Sequence, residues 1–390
     1  MEPVAGKVRI PVSEAKVGGP TAEPNAIHVG AGRADITPAI GTPLSGFIFR
    51  ENKPSTEVES PLWVRVMCLR QGDALYWLVG LDLLAVSAAL QEALLEALAR
   101  AFGPCFAPDR CVLAATHTHS APPVAPLEGE ADVDPAYVAL LQERVVQAAQ
   151  QALDNQQVAA LWCSEVAVPG LTYNRRSVLA DGRVVMAAVP DGPVMRRGPV
   201  DDRLTLLAWR DSGQRTLAAA VHWTCHGVAL NTQAISGDIP GRIAASVEAV
   251  LGAPCVYLQG ATGDVNPTVV AEGPQELAAW WVGFEPYLKQ AAAGLRPVVG
   301  APIAAASKCL SVDYQPLPPR SETEQRLMGL SAIAEGDLDT SAAQTALQQL
   351  GNIMNVAPGQ RPPVAKAVFA ARALVRAEQR VMRSEEHTSE

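Results

Sequence analysis

LYWLVGLDLLAVSAALQEALLEAL, residues 75–98, is the most apolar window of the chain, and how it divides decides the fold. Its first half carries aromatic and β-branched residues and reads as a buried strand over 75–81. Its second half repeats Leu and Ala at helical spacing and reads as a helix over 86–102. Asp82, Gln91 and Glu92 interrupt the window, so it is a strand followed by an amphipathic helix and not a membrane span. The same alternation continues outward. Strand candidates lie at 62–69, 111–115, 158–168, 204–209, 216–224, 255–259 and 302–313, and helix candidates at 135–154, 239–251, 274–294, 320–353 and 363–381. That pattern specifies an α/β protein of layered, mixed β-sheets flanked by helices. No internal repeat is visible in the sequence.

The chain has 390 residues, 48% of them hydrophobic and 18% charged, which is the composition of a folded globule and excludes a disordered or fibrous chain. Forty acidic against 31 basic residues leave a net charge of −9 with no Lys/Arg-rich run, so nucleic acid is not the expected partner. The seven cysteines are scattered without a CxxC pair, which suits reduced thiols, although Cys105 and Cys111 are close enough in sequence to pair. Residues 1–26 lack the apolar core of a signal peptide and read as an N-terminal extension, so the expected location is cytoplasmic, with secretion left open if the N-terminus is incomplete. The main domain is expected over 27–315, with a helical continuation over 316–382. The last eight residues, RSEEHTSE, read as the translation of a sequencing-adaptor oligonucleotide. The natural frame is therefore expected to end near residue 382, and His387 is left out of the site.

Of the other five histidines, four fall in two clusters at the ends of apolar strand candidates: CVLAATHTHSAPP (111–123) and LAAAVHWTCHGVALN (217–231). A third segment of the same form, CVYLQGATGDVNP (255–267), ends in Asp264 and Asn266. Ligands bind beyond the carboxyl ends of strands in α/β sheets, so these three tips can converge on one site. On an extended strand the rings of an H-x-H pair stand roughly 7 Å apart, too far to share one metal unless the chain bends. One ring is then expected to bind a metal and the other to act on substrate, chemistry that suits imidazole near neutral pH. Asp238, just before Ile-Pro and a helix, reads as an N-cap that could also support a metal-bound histidine. Asp264 fits turn chemistry or a site role equally. Asp82 either binds, orients or caps, and Arg175 either holds a carbonyl or carboxylate or is a solvated loop residue. Arg65 and Arg70 alternate along 62–70 and read as the polar face of a strand.

AGRADITP (31–38), GTPLSGF (41–47), LDLLAV (81–86), AATHTHSAP (114–122), NRR (174–176), GPVD (198–201), CHGVAL (225–230), SGDIPG (236–241) and LQGATGDVNP (258–267) occur in one order. In that order the chain resembles the N-terminal domain of the neutral/alkaline non-lysosomal ceramidases over roughly 28–268. The resemblance implies a zinc amidohydrolase that cleaves the N-acyl bond of ceramide, a lipid substrate, using one zinc ion. It places zinc ligands at His117 and His226, a substrate-side histidine at His119 and a substrate-positioning arginine at Arg175. His222, Asp238, Asp264 and Asn266 are expected to line the substrate or support the ligands. The family's remaining ligands, a glutamate and a tyrosine, are expected beyond residue 382. Asn266 stands where ceramidases carry a serine, and an amide is no nucleophile, so hydrolysis here is expected to use metal-activated water. Two other readings stand: a ligand-binding relative without turnover, and a metal-dependent esterase or amidase on a non-lipid substrate. A two-metal phosphatase fits poorly, since the strand-end acidic and histidine motifs it needs are missing. The sequence is silent on oligomeric state.

Overall fold

The computed structural model describes residues 8–10, 26–47, 50, 52–127, 130–182, 184–186, 193–298, 303–306, 310–312, 319–353, 367–368, 371 and 374–375. Two five-stranded mixed sheets dominate it. The first contains β1 (His28–Asp35), β2 (Trp63–Gln71), β3 (Ala74–Leu81), β4 (Cys111–Ala115) and the short edge strand β5 (Gln157–Val158). Its order is β4-β3-β2-β1-β5, with β3 and β4 parallel and the other neighbours antiparallel. The second contains β6 (Ala160–Ala167), β7 (Arg203–Arg210), β8 (Thr216–Trp223), β9 (Cys255–Gln259) and β10 (Arg296–Pro297). Its order is β9-β8-β7-β6-β10, with only β8 and β9 parallel.

The two sheets follow the same path: three antiparallel strands, a helical crossover to a parallel fourth, and a second helix leading to a short strand beside the first. The crossover helices are α1 (Ala88–Phe102) and α3 (Asp238–Leu251), and the second helices are α2 (Pro135–Asp154) and α4 (Pro274–Ala293). Residues 28–297 thus form two topologically equivalent halves. The repetition lies in topology, not in residues, so the sequence shows none of it.

Four layers result. Leu90, Leu94 and Leu98 of α1 and Tyr137, Leu141 and Val145 of α2 are buried on the first sheet, and Ile239, Ile243, Val247, Leu277 and Phe284 of α3 and α4 on the second. Between the sheets lies a core that includes several small side chains: Val29, Ala31 and Met67 meet Ala218, Ala220, Trp209 and Val256. The helices start where local chemistry dictates: the Ser87 hydroxyl accepts from Leu90 N, and Asp134 accepts from Ala136 N ahead of Pro135. At Gly32 an added β-carbon would meet the Ala148 carbonyl at 2.2 Å, so α2 reaches β1 only over a bare backbone.

Each half makes an excursion between its first two strands, residues 36–62 and 168–202, and both excursions border the site described below. The second contains a three-stranded antiparallel sheet in which Arg176–Leu179 lies between Val184–Met186 and Val194–Arg197.

Three expectations are corrected. The helix expected over 320–353 is two, α5 (Arg320–Glu335) and α6 (Ser341–Ile353), because Gly336 closes α5 in the left-handed conformation at φ +88°. Among the described residues of the strand expected over 302–313, Leu310–Val312 form a strand paired with Val8–Ile10, while 303–306 are irregular. Arg65 is not on a solvated face: it is 3% exposed and ion-paired to Asp82 and Glu248. The helix expected over 363–381 and the adaptor-like tail lie largely or wholly outside the described residues. Cys105 and Cys111 are both free thiols. Among the described residues no helix is long and apolar enough to cross a membrane.

Candidate metal centre

β4 ends at Ala115, and Thr116 N still bonds Leu81 O before the chain leaves the sheet. His117 then adopts φ +64°, a left-handed conformation that costs a non-glycine residue about 1–3 kcal/mol. The turn brings His117 and His119 together, with ring centroids 5.0 Å apart and Nε2 atoms 3.4 Å apart. The separation expected of an extended H-x-H pair does not occur, because the strand stops two residues before the first histidine.

The second half supplies His226 from the loop after β8. Its N–H bonds Val265 O, and the loop is stitched to the first half by His119 N donating to Gly227 O at 2.9 Å. The His226 Nε2 lies 2.9 Å from that of His117 and 3.0 Å from that of His119. The Nδ1 atoms of His117 and His226 are 2.7 Å from Leu84 O and 3.0 Å from Thr262 O. A carbonyl only accepts, so each Nδ1 carries the proton and each Nε2 presents a lone pair to the other.

Facing lone pairs at this distance repel unless a cation lies among them. A triangle with sides of 2.9, 3.0 and 3.4 Å has a circumradius of about 1.8 Å, shorter than a metal–imidazole bond of ~2.0–2.1 Å, so one ion can reach all three nitrogens. Among the described residues these histidines form a group able to hold a metal ion, and no carboxylate or thiol joins them.

The electrostatics keep the rings neutral. Burial, then the proximity of His117 and Arg175, pushes His226 down to about 3. Burial, then Arg175, also lowers His117, and burial with the neighbouring histidines and Arg50 lowers His119 well below its ordinary value. Metal-free protein should therefore lose stability as the pH falls from about 6.5 toward 3, because in that window unfolded His226 takes up a proton that the folded chain refuses. Asp238, pushed up to about 6 by burial, works in the opposite sense between its unfolded value and 6. In chelator-treated protein, urea melts of His226→Gln should lose roughly 2 kcal/mol less than the parent between pH 7 and pH 5. Equal losses would refute this assignment of the acid sensitivity.

Arg175, just before the central strand of that small sheet, borders the cluster. Its side chain donates to Gly263 O, its N–H bonds Asp264 O, and its charge is felt by His117 and His226. Asp264 lies beside Arg175. Asn266 is 2% exposed, with no partner for its Oδ1 among the described residues. Asn174 clamps the excursion, accepting from Arg176 N and donating to Pro199 O. Asp238 follows the N-cap Gly237 rather than being the cap. At φ +54°, its carboxylate accepts from Ile239 N, Leu230 N and Ala229 N, and so fixes the loop just beyond His226. His222 does not join the cluster; its charge interacts with Asp201, which also bonds Arg203.

Four further residues complete the surroundings. Phe47 packs edge-on against the His119 ring with centroids 5.0 Å apart. Gly46 at φ +98° would place a β-carbon 2.5 Å from that ring. Glu130 holds Gly46 N at 2.7 Å and also accepts from the Ser45 hydroxyl. Arg50 is buried beneath His119 and Ser120. The stretch GTPLSGF marks the segment of Gly46 and Phe47, but nothing in the sequence distinguishes Arg50 or Glu130 from ordinary loop charges.

The model of the neutral/alkaline non-lysosomal ceramidase N-terminal family matches residues 27–272. Among solved structures, the chain is similar to a neutral ceramidase from Pseudomonas aeruginosa, at 16% identity and TM-score 0.58, over 72% of this chain and 47% of that one. It is also similar to a ceramidase complexed with C2, at 17% identity and TM-score 0.60, over 71% of this chain and 45% of that one. The chain thus spans about half the length of these solved relatives. No curated protein sequence matches it.

Proposed function

The chain belongs to the neutral/alkaline non-lysosomal ceramidase family, and from that premise we propose that it is a zinc-dependent amidohydrolase acting on the N-acyl bond of a ceramide-like or other acylated substrate. The observation that carries this reading is the convergence of the Nε2 atoms of His117, His119 and His226, those of His117 and His226 held as lone pairs by main-chain carbonyls at Nδ1. When bound, zinc supplies Lewis acidity, polarising an acyl oxygen and acidifying water at its open position.

In this reading His117 and His226 hold the ion through Nε2. His119, whose Nε2 lies within reach of the same ion, stays off it in this reading and, kept neutral by burial, can accept or return a proton at Nε2 on the substrate side. Arg175, at the rim, orients the acyl carbonyl, with Asp264 and Asn266 beside it. Asn266 cannot form an acyl intermediate, so the reaction is a direct attack by water. The same replacement favours a second reading, a relative that binds acylated ligands without turning them over.

The test measures zinc per chain by elemental mass spectrometry, followed by fatty-acid release from a short-chain ceramide and from a water-soluble N-acyl amine. About one zinc with release from either substrate supports the hydrolase. Ligand binding with no release, with or without zinc, selects the second reading, and absence of zinc overturns the hydrolase.

A further inference from the structure

Arg50 is 3% exposed and spends all five of its N–H donors on main-chain carbonyls and one hydroxyl. Nε donates to Thr232 O at 2.9 Å; Nη1 to Ser45 O at 3.2 Å and to His119 O; Nη2 to Ser120 Oγ at 3.1 Å and Leu230 O at 3.2 Å. These acceptors come from three segments: the first excursion, the loop carrying His117 and His119, and the loop that follows His226. Two of those loops belong to different halves of the molecule. The guanidinium also lies 4.9 Å from the Phe47 ring centroid, and the edge of Phe47 in turn contacts the His119 imidazole. Arg50 therefore reaches His119 by two routes, through its carbonyl and through its ring.

A guanidinium with no carboxylate among the described residues in direct contact is costly to bury, and burial lowers Arg50 to about 10, with Asp238 and Glu130 acting against it. Apolar packing would hold the same segments together at less cost, so retention of a charge points to geometry that apolar packing cannot set. Five rigid, planar donors fix three loops at defined distances; an ammonium group with three donors cannot span them.

We propose that Arg50 is a positioning residue of the histidine centre, a bracket that registers the His119 loop of one half against the His226 loop of the other. The proposal rests on reading the three histidines as a metal site. Losing a group that only supports a ligand typically weakens metal affinity by about 10–100-fold.

The experiment compares the parent chain with Arg50→Lys, Arg50→Met, Phe47→Leu and, as a surface control, Arg203→Met. Each is followed by melting of the metal-free protein, by zinc affinity against a chelator, and by the visible spectrum of the cobalt(II) form. The expected result is a 10–100-fold loss of zinc affinity with a shifted cobalt spectrum in Arg50→Lys, a smaller spectral change in Phe47→Leu and none in Arg203→Met. Zinc affinity and cobalt spectrum unchanged in Arg50→Lys, with the parent binding zinc, would overturn the proposal alone. Should both Arg50 variants fail to fold, an unaltered spectrum in Phe47→Leu would overturn it. A parent chain that binds no metal overturns the metal reading and the proposal with it.

Discussion

His226→Ala is expected to leave a folded chain that holds no metal and turns over no substrate. The ring contributes one of three converging nitrogens, and the other two come from one short loop. Without it, His117 and His119 remain 3.4 Å apart at Nε2 with nothing from the second half to close the site. The loss of zinc affinity should exceed about 100-fold, the upper end for residues that merely support a ligand. Folding should survive, because in the metal-free parent the Nε2 lone pair of His226 faces that of His117 at 2.9 Å, and alanine removes that repulsion along with the Thr262 bond. Zinc content by mass spectrometry and fatty-acid release are the readouts. Retained zinc with retained release would remove His226 from the site.

The second large effect is on stability. Asp82, 1% exposed, accepts from Arg65 Nη1 at 2.8 Å and from Trp63 N at 2.9 Å. Arg65 also bonds Glu248 Oε1 at 2.8 Å, and Glu248 reaches Arg33 Nη1 at 2.6 Å and Cys255 N at 3.1 Å. The network ties the first sheet to α3 and β9 of the second half. Burial opposes the charge on Arg65, yet the two carboxylates more than compensate and hold it protonated. Asp82→Ala strands that cation with half its compensation and should cost about 3–5 kcal/mol in urea unfolding. The double replacement Arg65→Met with Asp82→Leu removes both charges and should recover most of the loss, since well-packed apolar pairs replace buried ion pairs at little or no cost. A single variant within about 1 kcal/mol of the parent, or a double variant no better than the single, would contradict this account.

Asp82 also shows where sequence reading reaches its limit. Its place at a strand end is plain from LYWLVGLD, but its partner lies 17 residues away on a neighbouring strand and its other neighbour on a distant helix. Apolar strands with polar tips were legible because burial imposes the pattern residue by residue. The clustering of His117, His119 and His226 was legible for the same reason. The bend at His117 was not, since the residue is no glycine and its left-handed φ is imposed by surrounding bonds. Arg50 carried no signal because one arginine in a loop looks alike whether solvated or enclosed by five acceptors. Gly336 was a signal present in the sequence, a helix stop passed over within a long helical pattern. The equivalence of the two halves leaves no trace in residue identity, because a shared strand order constrains hydrophobic pattern and not composition.

That equivalence bears on assembly order. The first half carries His117 and His119 and the second carries His226, so neither half alone presents the three-nitrogen set. Metal capture would then follow docking, and a bound ion would stabilise the joined state rather than either component. A zinc ion in such a molecule would behave like a ligand shared across a dimer interface, except that here one chain supplies both partners. Its off-rate should report how often the seam between the halves opens.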